Sequence, residues 1–290
     1  MNKIGIYFAY WEREWKADYC NYIRKVKTLG FDCLEVEAGS LLAMSREERE
    51  RIRDTAQEEG IELTYCIGLP PAYDVAGESA ETRKEGIAYL RQLFCMIHSM
   101  GGDMLGGIIY SCWPFAGASI EYKLAARKRS ILSMREAAKA AEEYQITCCL
   151  EVVNRFEQCI LNTAKEGVEF VREVDSRQVK LLLDTFHMNI EEDSIAEAIR
   201  LAGEDLGHFH IGECNRQVPG KGHMPWNEIF TALKSADYKG RIVMEPFVTP
   251  GGQVGSDIKI YRDLSGGATA EQIDQDAGGA LEFVRKRIRN

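Results

Sequence analysis

The chain has 290 residues, of which 45% are hydrophobic and 28% charged, with a formal net charge of −9. That acidic balance lacks the clustered Lys and Arg needed to neutralise phosphates, which argues against a nucleic-acid partner. No run approaches the roughly 18 apolar residues of a membrane span, so no membrane role is expected.

The N-terminal stretch Met1-Asn2-Lys3-Ile4-Gly5-Ile6-Tyr7-Phe8 enters a strand-like run directly. It lacks the basic start, long apolar stretch and cleavage site of a signal peptide, and a cytoplasmic protein is expected. Strand-like runs begin near Lys3, Asp32, Glu62, Asp103, Ile146, Val179, Gly207 and Arg241. Helical stretches fill the intervals at 17–28, 45–59, 82–100, 125–143, 163–174, 194–201 and 226–235, with a last one at 270–288. Within 125–143, Ile131, Leu132, Met134, Ala137, Ala138, Ala140 and Ala141 recur at helical spacing, leaving Arg127, Lys128, Arg135, Glu136 and Glu142 to solvent. Strands alternating with helices imply a parallel sheet, and eight such units favour a closed (β/α)8 TIM barrel over an open sheet. With no linker, low-complexity stretch or composition break, 1–290 reads as one α/β barrel domain. The segments 68–80 and 246–267 are long for plain connections and are expected over the catalytic rim.

Nine cysteines follow no paired spacing and read as reduced core residues; the adjacent Cys148 and Cys149 should point to opposite faces of one strand. The glycine-rich piece Gly101-Gly102-Asp103-Met104-Leu105-Gly106-Gly107 matches no nucleotide fingerprint, so no organic cofactor is expected.

Glu151, Asp184, His210 and Glu245 stand at the far ends of the runs 146–150, 179–183, 207–209 and 241–244. A strand-end carboxylate commonly just caps the next helix. All strands of a barrel point one way, however, so four such residues on consecutive strands converge at one mouth. Three carboxylates and an imidazole make a hard, oxygen-rich site suited to Mn²⁺ first, with Co²⁺ or Mg²⁺ as alternatives. His187 follows Asp184 by three residues, Glu157 follows Glu151 by six, and Arg216 follows His210 by six. Singly each reads as a loop residue; together they supply a donor/acceptor, an acceptor and a fixed fork of donors, an inventory for a neutral polyhydroxylated substrate.

The stretches Glu151-Val152-Val153-Asn154-Arg155-Phe156-Glu157, Leu183-Asp184-Thr185-Phe186-His187-Met188-Asn189-Ile190-Glu191-Glu192, Gly207-His208-Phe209-His210, Gly212-Glu213, Pro225-Trp226 and Met244-Glu245-Pro246-Phe247 resemble the ketose 3-epimerases, the D-tagatose and D-allulose (D-psicose) 3-epimerase group. The likeness runs from Ile4-Gly5-Ile6-Tyr7 to Tyr261-Arg262-Asp263. It implies a xylose-isomerase-like sugar epimerase barrel in which Glu151, Asp184, His210 and Glu245 hold one Mn²⁺ or Co²⁺, with Glu151 and Glu245 as the acid/base pair. It also implies that Glu157, His187 and Arg216 hold the substrate near C1 to C3, that Tyr7, Cys66, Ile108 and Trp113 shape the pocket, and that the enzyme is a homodimer or homotetramer. Tyr65-Cys66-Ile67-Gly68-Leu69 is closer to the tagatose-type members, and Ile108 and Cys112 stand where many allulose-type members carry alanine and tyrosine. The preferred ketose is therefore open.

The reaction so implied takes a proton from C3 of a free ketose and returns one to the opposite face through a cis-enediolate, with a divalent cation polarising the C2 carbonyl. An aldose–ketose isomerase, a polyol dehydratase and a C-glycoside-cleaving subunit could share this chemistry. A nuclease on the same scaffold would need further metal ligands and a basic surface. A non-catalytic sugar binder would not need both proton carriers.

Overall fold

The structure, a computed structural model, describes residues 2–115 and 119–289. Eight strands, β1 (Ile4–Tyr7), β2 (Cys33–Glu37), β3 (Glu62–Cys66), β4 (Met104–Gly107), β5 (Thr147–Val152), β6 (Val179–Asp184), β7 (Leu206–Ile211) and β8 (Ile242–Met244), pair in parallel in chain order. β1 closes on β8 through Ile4↔Ile242, Gly5↔Val243 and Ile6↔Met244, giving the expected closed barrel. Every strand begins within one residue of its expected start.

The helices are α1 (Tyr19–Leu29), α2 (Ala38–Leu42), α3 (Arg46–Glu59), α4 (Ala80–Ser99), α5 (Ile120–Glu143), α6 (Ala164–Val174), α7 (Thr185–Glu191), α8 (Ile195–Ala202), α9 (Trp226–Ser235), α10 (Gly252–Asp257) and α11 (Ala270–Arg289). Local chemistry sets their starts: Asp18, Ser45, Ser79, Ser119, Thr163 and Ser194 each accept a hydrogen bond from an amide of the first turn, and Ser45 forms a capping box with Glu48. One expectation for α5 fails: Leu132 is 61% exposed, because Ile131 and Ser133 lie on the buried stripe and Leu132 faces away from it. Among the described residues no helix is long and apolar enough to cross a membrane.

Side chains alternate between the helix layer and the lumen. Cys148 joins the main core under the helices, whereas Cys149 packs with Met104 and Leu182 in a separate cluster inside the barrel, so the two thiols do face opposite ways. The register between β6 and β7 shifts: Leu181 pairs Leu206, but Leu182 pairs His208. Gly207 is the extra residue, and a Cβ there would lie 2.7 Å from Lys180 Cβ and 2.8 Å from Cys149 Sγ. This slip lets Leu206 pack with the helix-side core while His208 and His210 point inward beside Leu182 and Asp184.

Candidate active site

The β5–β8 half of the mouth carries the four expected metal ligands. Glu151 is next to last in β5, Asp184 ends β6, His210 is next to last in β7, and Glu245 follows β8 directly. All four are buried, Asp184 and His210 completely. His210 Nδ1 is 3.5 Å from Glu245 Oε1 and 4.0 Å from Glu151 Oε1. His187 Nε2 lies 3.6 Å from Glu151 Oε1 and 3.7 Å from Asp184 Oδ2. Glu151 is thus shared between two potential ligand groups, one with His210 and Glu245, the other with Asp184 and His187.

Asp184 divides its carboxylate. Oδ1 accepts from Phe186 N at 3.0 Å and caps α7, while Oδ2 faces the site, so capping and ligation are compatible. His210 is held from behind by Glu35, a β2 residue that sequence reasoning missed. Glu35 Oε1 is 2.6 Å from His210 Nε2 as an ion-pair contact, and Glu35 Oε2 accepts from His208 Nε2 at 2.9 Å. With Nε2 turned toward Glu35, Nδ1 faces the carboxylates of Glu245 and Glu151.

The electrostatics fit a cation. Burial pushes the carboxyls of Glu151 and Glu245 well up, and the charge of Glu245 adds to the rise at Glu151. Burial disfavours a charged His210, but the carboxylates of Glu35 and Glu245 outweigh it and hold the imidazole up at about 10. His210 Nδ1 is buried without a hydrogen-bond partner. A divalent ion answers both features at once: it gives Nδ1 a partner and favours the charged carboxylates.

His187 is different. Burial first, and then Arg216 and His210, pull its pKa down to about 3 against the opposing charge of Asp184, so the ring is neutral. Its Nδ1 accepts from Asn154 N at 3.2 Å and faces Asn154 Nδ2 at 2.8 Å, which leaves Nε2–H as a donor directed into the site. Arg216 takes a left-handed backbone, φ 62°, fixed by its N–H donating to Glu213 O and its carbonyl accepting from Phe247 N. The guanidinium stacks 3.7 Å over the Phe186 ring and reaches Glu245 Oε2 at 3.1 Å, Asp184 Oδ2 at 3.4 Å and Glu157 Oε1 at 3.5 Å. Trp113 Nε1 donates to Glu157 Oε2 at 3.0 Å, which orients that carboxylate.

A cavity of about 600 Å³ opens over these groups, and Tyr7, Cys66, Ile108 and Trp113 all line it, as do Glu157, His187 and Arg216. Asp184 and His210 lie beneath its floor rather than in its wall. Both long segments reach it: 68–80 contributes Gly68 and Pro70, and 246–267 contributes Phe247 and Ile258. The second is latched by Asp257, which accepts from Trp15 Nε1 at 2.8 Å, and by Val254 N donating to Arg13 O.

Glu213 lies three residues before Arg216 in the same loop. It is fully buried and accepts from Gly220 N, Met224 N and Trp226 Nε1, which braces the loop that carries Arg216. Its signal in the sequence is the pairing of a carboxylate with Pro225-Trp226, whose indole needs a buried acceptor.

Residues 23–264 match the family model of the xylose isomerase-like TIM barrel. The D-psicose 3-epimerase of Ruminiclostridium cellulolyticum is 48% identical over 283 residues, covering 98% of this chain and 97% of the relative. That of Agrobacterium fabrum is 47% identical and covers 98% of each chain. A crystal structure of D-psicose 3-epimerase from Clostridium cellulolyticum H10 with D-tagatose superposes with a TM-score of 0.96 at 47% identity, covering 99% of both chains.

Proposed function

Since the chain belongs to the ketose 3-epimerases of the xylose isomerase-like barrels, and is therefore an isomerase, we propose that it epimerises free ketoses at C3 with one divalent cation and two carboxyl proton carriers. Glu151, Asp184, His210 and Glu245 would hold the cation, Mn²⁺ first and Co²⁺ or Mg²⁺ as alternatives. The observation that carries this reading is the orphaned, buried Nδ1 of His210 facing two carboxyls whose proton affinities burial has raised. When bound, the cation supplies Lewis-acid polarisation of the substrate carbonyl.

The protein's own groups then do the following. Epimerisation needs one of Glu151 and Glu245 ionised and the other protonated: the ionised carboxylate takes the C3 proton and the protonated one returns a proton to the opposite face. His187 donates its Nε2–H toward the oxygen that gains charge in the enediolate. Glu157 and Arg216, joined to each other and braced by Trp113, fix the hydroxyls near C1 to C3. Tyr7, Cys66, Ile108 and Trp113 form the wall for the rest of the sugar. D-Allulose is the first substrate to test, from the activities of the relatives, while the Tyr65-Cys66 stretch keeps D-tagatose beside it.

The test is incubation of metal-loaded protein with D-allulose, D-tagatose, D-fructose and ribulose in D₂O, with a chelated control. Deuterium at C3 and the C3 epimer as product are expected, both lost on chelation. Label at C1 or C2 would replace this reading with aldose–ketose isomerisation, and unchanged turnover after chelation would remove the cation from it.

A further inference from the structure

The mouth of the barrel is divided. Strands β5–β8 bring the cation ligands and proton carriers, so a ketose held there by C1 to C3 extends its remaining carbons toward β1–β4. Most of what lines that half is apolar, including Tyr7, Cys66, Ile67 and Ile108. Glu37 interrupts it. Glu37 ends β2, pairs with Cys66 of β3, and opens onto the cavity.

Glu37 caps α2: Oε1 accepts from Gly39 N at 2.9 Å and Oε2 from Ser40 N. Capping does not account for its identity. Ser, Thr, Asp and Asn are the favoured caps, and α2 has only five residues. Each carboxylate oxygen also keeps a free lone pair after one amide bond. The space beside it is kept open by Gly39, where a Cβ would lie 2.9 Å from Glu37 Oε1, 3.1 Å from Ile67 Cδ1 and 3.2 Å from the Tyr89 hydroxyl. Tyr89 also lines the cavity, with its ring stacked on Tyr73 at 4.1 Å between centroids. Burial, and next the charge of Glu37, push the Tyr89 hydroxyl up to about 12, so it stays a donor. The other carboxylate on this side of the mouth, Asp257, is already engaged by Trp15 and Gln253.

We propose that Glu37 and the Tyr89 hydroxyl form a distal polar subsite that binds the terminal hydroxyl of a ketohexose, selecting it over 6-deoxyketohexoses. The hydroxyl donates to Glu37 and accepts from Tyr89. The inference rests on the C3-epimerase reading, since that reading fixes which end of the sugar lies at β5–β8.

The experiment compares kcat/KM for D-allulose and 6-deoxy-D-allulose in the wild type, Glu37→Ala, Glu37→Gln and Tyr89→Phe, with cation content and C3 deuterium exchange measured in each. A hydrogen bond to a charged acceptor corresponds to a preference of about tenfold or more for the hydroxylated sugar in the wild type. The ratio should fall to near unity in Glu37→Ala and part of the way in Tyr89→Phe, which leaves the cap untouched. Should Glu37→Ala fail to fold, Glu37→Gln retains a cap acceptor at the same reach and carries the comparison. A wild type without the preference, or a ratio unchanged by Glu37 replacement, reduces Glu37 to a cap and overturns the proposal while C3 exchange persists. Absence of C3 exchange on every ketose overturns the parent reading and this one with it.

Discussion

Glu35 Oε1 sits 2.6 Å from His210 Nε2, so a carboxylate on β2 fixes the orientation of an imidazole on the far side of the barrel. Both side chains are fully buried, and Glu35 also binds His208. Burial alone would raise the Glu35 carboxyl, but the two imidazoles overcome it and hold the group ionised. A ligand backed in this way is a stronger and better aimed base. Glu35→Gln is expected to weaken divalent-cation affinity about 10- to 100-fold, the range for loss of an outer partner. Calorimetric titration of the chelated protein with Mn²⁺ measures it, and wild-type affinity in the variant would remove Glu35 from the site.

Glu245→Gln separates ligation from proton transfer. The amide keeps an oxygen toward the cation but cannot carry the C3 proton, and loss of general acid–base function costs about 10²- to 10⁴-fold in rate. Turnover is expected to fall by at least that range while some cation is retained. Full activity in this variant would eliminate Glu245 as a proton carrier.

Much of this site is legible in the sequence because its residues end strands. Glu151, Asp184, His210 and Glu245 each close an apolar run, and a barrel leaves such positions no choice of rim. Glu35 was not legible for the opposite reason: it sits inside Cys33-Leu34-Glu35-Val36-Glu37, and its partner His208 is 173 residues away. Nothing local distinguishes a lumenal carboxylate from a solvent-facing one until the two strands are placed opposite each other. The same holds for Gly207, where strict alternation from Leu206 gives the wrong phase and only the bulge corrects it. The short helices α7 and α10 span seven and six residues, too few for a 3.6-residue period to register.

The neutral His187 predicts a pH dependence of stability. Its folded pKa is lowered to about 3, against 6.5 for the free side chain. Between those values the unfolded chain binds a proton that the folded chain does not, so stability rises with pH across the window. The contribution is complete above about pH 6.5 and is lost progressively on acidification, by about 1.4 kcal/mol per pH unit. Denaturant melts of the wild type and His187→Gln, in chelator so that cation linkage is absent, should show a shallower slope in the variant. Parallel slopes between pH 3 and 6.5 would mean that His187 titrates as if exposed.

Cys66 and Ile108 test how the wall selects among ketoses. Both are buried and line the cavity on the half opposite Glu151 and Glu245. Burial first, and then the charges of Glu35 and Glu151, push the Cys66 thiol well up, so it acts as a small neutral surface rather than a thiolate. Ile108 supplies the bulk. Removing its branches in Ile108→Ala widens the wall without touching Glu151, Asp184, His210 or Glu245. A missing methylene in an apolar pocket changes discrimination on the order of tenfold, so the relative kcat/KM for D-tagatose, D-fructose, D-allulose and ribulose should shift by at least that factor. Cys66→Ala removes one sulfur and should move the ratios in the same direction by less. Because Glu151 and Glu245 are undisturbed in both variants, deuterium exchange at C3 persists, which separates altered selection from lost chemistry. Ratios unchanged across the four sugars would strip both residues of any part in specificity.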